Sequence, residues 1–168
     1  MAKWWTGCAG NFGVPRALLI GYGNTLRGDD ALGPLAIERL RALLPEAEFV
    51  SCHQLGPELA GQMAACDLAI FIDAACEGEP GTVQLERLLP SAGDSTSLTH
   101  QVHPSALLEL AQTLYGRAPH AMLVTGVGES FELQGGDHHS ALSEAASRAL
   151  DEICRLVPRL VQVFPEML

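Results

Sequence analysis

Four polar groups spaced along the chain could act together: Asn24, Asp29 and Asp30; then Asp73; then His100 and His103; then Glu129 and Ser130, with His138 and His139 beyond. Each follows a short apolar run or precedes an apolar helical pattern. Carboxylates and an imidazole gathered at one place can hold a divalent metal through oxygen and nitrogen donors, and imidazole suits nickel and zinc. Plainer uses stand beside this one. One of Asp29 and Asp30 is expected to cap the helix that follows. Asp73 can accept N–H bonds from its own turn. A lone His100 is ordinary as a hydrogen-bonded loop residue. His103, before Pro104, can cap or cover a helix. His138 and His139 read as a solvated loop, because adjacent side chains in a loop seldom point the same way.

The five cysteines, at 8, 52, 66, 76 and 154, form no C-x-x-C pair. A disulfide framework or closed zinc site is therefore not expected, and free thiols in packing roles are. Glycines at 21 and 23 begin a G-x-G, but position 26 is Leu, so the dinucleotide fingerprint is incomplete. Neither a G-x-S-x-G elbow nor a phosphate-binding P-loop is present.

The elements that must position these groups follow from apolar patterning. Buried strands are expected at Ala17–Tyr22, Glu48–Cys52, Asp67–Asp73 and Ala121–Val127, with an alternating edge strand at Thr82–Leu88. Asp73 then closes its strand. A helix starts near Gly33, buries Ala36, Ile37, Leu40, Leu43 and Leu44, and ends at Pro45. Further helices are expected at Gly56–Ala65, from Pro104 through Leu114, and after Ser140, the last broken or kinked by Pro158. Strands alternate with helices, so the class is α/β: three layers, α/β/α, around a mainly parallel central sheet. Sites in such sheets form outside the carboxyl ends of the strands, where these polar groups fall.

Composition narrows the functions. The chain has 168 residues, 48% hydrophobic and 18% charged, enough for one well-buried core. Residues 1–16 read as a poorly ordered extension and 17–168 as one domain. Ten basic against twenty acidic residues give a formal charge of −10, and Lys3 is the sole lysine. Such a balance argues against nucleic acid or an anionic membrane as partner. Neither a membrane span nor a signal peptide is expected, so the reading is a cytoplasmic protein.

Four motifs follow in order: Ile20-Gly21-Tyr22-Gly23-Asn24-Thr25-Leu26-Arg27-Gly28-Asp29-Asp30 with Gly33; Asp73-Ala74 with Pro80-Gly81-Thr82-Val83; Thr99-His100 before Leu107-Leu108; and Gly126 through Phe131. Taken together, they resemble the nickel–iron hydrogenase maturation endopeptidases. The resemblance runs from about residue 17 to 157. It implies an enzyme that clips the C-terminal extension from a hydrogenase large-subunit precursor after nickel insertion. It further implies that Asp30, Asp73 and His100 are the catalytic and metal-contacting residues, in an aspartyl-type or metal-dependent endopeptidase. Asp30 stands where the family has Glu or Asp, and Ala31 replaces a frequent Gly.

The largest departure is Ser51-Cys52-His53-Gln54, where many members read Asp-Gly-Gly-Thr; these four are expected to recognise the substrate. Two carboxylates and one imidazole are one ligand short of a closed tetrahedral site. The expectation is therefore that nickel arrives on the precursor, that the chain holds no tightly bound metal of its own, and that it works as a monomer. Two rivals use the same residues. One is a non-catalytic nickel-sensing chaperone for hydrogenase assembly. The other is a phosphoacceptor receiver, which shares paired acids and an Asp ending the third strand but needs a Lys after its last strand.

Overall fold

The computed structural model describes residues 15–91, 102–133 and 142–164. Five strands form one sheet: β1 (Ala17–Tyr22), β2 (Glu48–Cys52), β3 (Leu68–Ala75), β4 (Val83–Leu88) and β5 (His120–Val127). Their order is β2-β1-β3-β5-β4. Four strands run parallel and β4 lies antiparallel at the edge, beside β5. Helices α1 (Leu32–Leu43) and α4 (Glu144–Val163) cover one face, and α2 (Leu59–Ala65) and α3 (Pro104–Tyr115) the other. The three-layer, mainly parallel fold is as read from the sequence.

Strand alternation divides the core. Leu19, Ile70, Ile72 and Val124 meet Leu32, Ile37, Leu40, Ile153 and Val157 on the α1/α4 face. Leu18, Ile20, Ala69 and Phe71 meet Leu59, Met63, Leu107 and Leu108 on the α2/α3 face. Period-2 alternation along a central strand feeds both cores, which is why these strands are continuously apolar.

Several local expectations shift. Leu43 lies half exposed at the end of α1, and the buried stripe begins earlier, at Leu32. The segment from Gly56 enters α2 only at Leu59, through a turn. β3 continues two residues past Asp73, because Asp73, Ala74 and Ala75 keep pairing with Thr125, Gly126 and Val127 of β5. Pairing needs only backbone, so a polar side chain does not end a strand. The N-cap of α4 is Ser143, whose side chain accepts from the Ala146 N–H; Ser140 lies outside the described residues. Pro158 sits inside α4 without ending it. Six buried residues from Ala145 to Val157 anchor that helix, and their burial offsets a lost hydrogen bond worth about 3 kcal/mol with its clash. Among the described residues no helix is long and apolar enough to cross a membrane.

Candidate active site

The strand order reverses around β1: β2 lies on one side and β3 on the other, reached by crossovers on opposite faces. In open α/β sheets such a reversal is where a binding crevice forms, here at the carboxyl ends of β1 and β3. The loop from Gly23 to Ala31 fills one wall. Its last four residues, Gly28–Ala31, form a single 3-10 turn leading into α1. Helix α1 begins very close to the sheet. A side-chain carbon at Gly33 would lie 2.4 Å from the Tyr22 carbonyl oxygen and 2.6 Å from that of Ile72, so only glycine fits there.

Asp29 and Asp30, adjacent in sequence, have unrelated roles. Asp29 is wholly buried. Its Oδ2 accepts from the Glu129 N–H (2.8 Å), the Ser130 N–H (2.9 Å) and the Ser143 hydroxyl (2.7 Å), and its Oδ1 from the Ser143 N–H (2.7 Å). Its own N–H donates to the Ser130 carbonyl at 2.7 Å. Burial pushes this carboxyl up, but the bonds from Ser143, Glu129 and Ser130 outweigh it and hold the group below the usual carboxylate range. Asp29 thus clamps three segments together: the site loop, the loop after β5 and the start of α4. Gly28, at φ +51°, lets the backbone turn against the Ser130 carbonyl. The expectation that one of the two acids caps α1 fails. The residue before α1 is Ala31, and no side chain caps it.

Asp30 faces the crevice instead. Its Oδ2 accepts from the Asn24 N–H at 2.8 Å. Asp73 stands close enough for the Asp30 charge to act on it. The sheet register explains its surroundings. Tyr22 pairs with Cys52, and Asp73 with Thr125, which pairs with Gln84. Gly21 pairs with Ile72, so Tyr22 and Asp73 are the next step on neighbouring strands. Cys52, Tyr22, Asp73, Thr125 and Gln84 therefore cross the sheet as one polar row at its carboxyl edge.

Burial pushes the Asp73 carboxyl up to about 6, and the Asp30 charge adds to this. The Ala74 N–H (2.8 Å to Oδ1) and the Tyr22 hydroxyl, which donates toward the carboxylate, offset it only in part. Burial and the Asp73 charge push the Tyr22 hydroxyl up in turn, so it stays a donor. A carboxylate poised near neutrality can take a proton from water or offer an oxygen to a cation.

The other candidates divide. Cys52 is partly buried in the polar row, while Ser51, His53 and Gln54 are exposed at the end of β2. Burial and the Glu58 charge push the Cys52 thiol up, which disfavours a thiolate nucleophile. His103 caps α3 by accepting from the Ser105 N–H at 3.2 Å. His100, His138 and His139 lie outside the described residues. Among the described residues no group of three or more His, Cys, Asp or Glu stands ready to hold a metal ion; Asp30 and Asp73 are two carboxylates close enough to interact.

No protein-family model matches the chain. A curated relative, the hydrogenase 2 maturation protease of Escherichia coli K12, is 32% identical over 119 residues, covering 67% of this chain and 72% of its own. The NiFe hydrogenase maturation protease HycI of Thermococcus kodakarensis superimposes with a TM-score of 0.70 at 26% identity, over 90% of this chain and 95% of its own. The hydrogenase maturating endopeptidase HybD of Escherichia coli does so with a TM-score of 0.65 at 25% identity, over 90% and 93%. These relatives do not favour the receiver or chaperone readings. They show that the chain belongs to the hydrogenase maturation protease family and is an endopeptidase.

Proposed function

We propose that this endopeptidase removes the C-terminal extension of a nickel–iron hydrogenase large-subunit precursor once nickel has been inserted. Asp30, Asp73 and His100 are its working residues. The observation that carries this reading is the pair of carboxylates, Asp30 and Asp73, facing one crevice while neighbouring Asp29 is spent on the fold. Oxygen donors from Asp30 and Asp73 with the imidazole of His100 make a set that suits nickel. Three ligands leave positions for groups of another molecule, so nickel enters as part of the substrate.

In this reading Asp73 exchanges a proton with the attacking water, because burial lifts its proton affinity to about 6. Asp30, oriented by the Asn24 N–H, presents its other oxygen to the substrate. Ser51, Cys52, His53 and Gln54, at the end of β2 on the same edge, contribute to the choice of precursor. The site of action is the cytoplasm, and the working form a monomer.

The test is the intact mass of a purified precursor after incubation with the enzyme. Nickel-loaded precursor should shorten by one C-terminal piece, and nickel-free precursor should keep its mass. Shortening of both, or of neither, would contradict the proposal.

A further inference from the structure

Between Ile20 and Asp30 most residues serve the fold or the crevice. Gly21 and Gly28 permit close approaches, Asn24 braces a turn, Asp29 clamps and Asp30 faces the crevice. Leu26 is different. It is 64% exposed on a loop where water would favour a polar residue. Its turn is nonetheless held firmly. The Leu26 N–H donates to Asn24 Oδ1 at 2.9 Å, and the Arg27 N–H to the Asn24 carbonyl at 3.0 Å. Arg27 Nε reaches the Phe131 carbonyl at 3.3 Å and so stitches this loop to the one after β5. That second loop carries Leu133, 72% exposed.

Scattered exposed leucines need no partner. These two differ in place and in support. Among the described residues, the other large exposed apolar ones, Leu43, Leu89, Leu114, Tyr115 and Val163, lie at the ends of elements that run toward the opposite edge of the sheet, and Leu85 lies along β4. Leu26 and Leu133 stand on the crevice side, on two loops bonded to one another. The backbone N–H of Asn24, whose side chain braces the Leu26 turn, donates to Asp30. Leu26 thus lies four residues before Asp30 on the same braced loop. An apolar group already fixed in place binds without the ordering cost a mobile one carries.

We infer that Leu26, with Leu133, is a docking lip for the substrate: it seats an apolar surface of the hydrogenase large-subunit precursor beside the bond to be cut. The inference rests on the processing function proposed above. The lip binds ground state and transition state alike, so its loss raises KM and spares kcat.

The test is steady-state processing of a nickel-loaded large-subunit precursor by wild type, Leu26→Ser, Leu26→Met and Leu133→Ser, with thermal unfolding of each. Leu26→Ser should raise KM about tenfold, keep kcat within about twofold and leave Tm unchanged. Leu26→Met should restore KM, and Leu133→Ser should raise it less. An unchanged KM in Leu26→Ser, or one that Met fails to restore, overturns the lip while leaving the processing function intact. A wild-type enzyme that cleaves no nickel-loaded precursor overturns the processing function and the lip with it.

Discussion

Asp29 and Asp73 stand at the same edge of the same sheet and meet opposite conditions. Asp29 is fully buried, yet four donors close around it and its charge is welcome. Asp73 is less deeply buried, but two donors are too few and Asp30 adds a second negative charge. Burial alone therefore does not set a carboxyl's proton affinity. The count of donors and the sign of the neighbour decide it. The first acid stabilises the fold and the second strains it, which is the pattern expected when a working group is held where its charge is uncomfortable.

The largest expected effect lies on the working side. Asp30→Ala and His100→Ala should each lower precursor processing at least about a hundredfold, read from kcat/KM, with Tm within a few degrees of wild type, since loop residues contribute little to the core. Next comes the clamp. Asp29→Asn keeps one acceptor but turns an NH2 toward donors at Glu129, Ser130 or Ser143. It should cost about 3 kcal/mol, near 10 °C in Tm. An unchanged Tm would mean that the three joined segments do not depend on this carboxylate.

The pH response sharpens the same contrast. Asp29 has a lowered proton affinity when folded, so its contribution is present above pH 3.8 and is lost as pH falls through its folded value. Asp73 has a raised one, so the folded state holds its proton from 3.8 up to about 6, and stability falls as pH rises across that window. The kcat/KM profile should rise through about pH 6 as Asp73 ionises; a profile flat between pH 5 and 7 would remove Asp73 as the titrating group. The smallest effect belongs to Cys52. Its thiol is pushed up rather than activated, so Cys52→Ser should keep processing within about twofold; loss of turnover with Tm intact would reopen a thiol mechanism.

Much of this contrast is hidden in the sequence. That Asp30 and Asp73, the proposed working acids, lie at one edge is legible because both come after apolar runs, and runs mark buried strands whose carboxyl ends share an edge. Strands β1 and β2 lie where their residues predict, and His103 caps its helix. The clamp is not legible. Its donors at 129, 130 and 143 lie a hundred residues or more from Asp29, and no local pattern joins them. Strand order is likewise beyond local reading: β4 alternates like an edge strand, but its antiparallel place outside β5 depends on where the chain crosses. Tyr22 reads as the last apolar residue of a strand. Its role beside Asp73 emerges only from the register of β1 against β3.

The most direct test joins activity to stability in one variant. Asp73→Asn keeps the shape of the side chain and removes its charge. At pH 7 it relieves a strain on the order of 2–3 kcal/mol in the upper limit, so Tm should hold or rise by a few degrees, while processing of nickel-loaded precursor should be lost. Retained processing, or a Tm that falls as far as that of Asp29→Asn, would contradict the division between the acid that holds the fold and the acid that works.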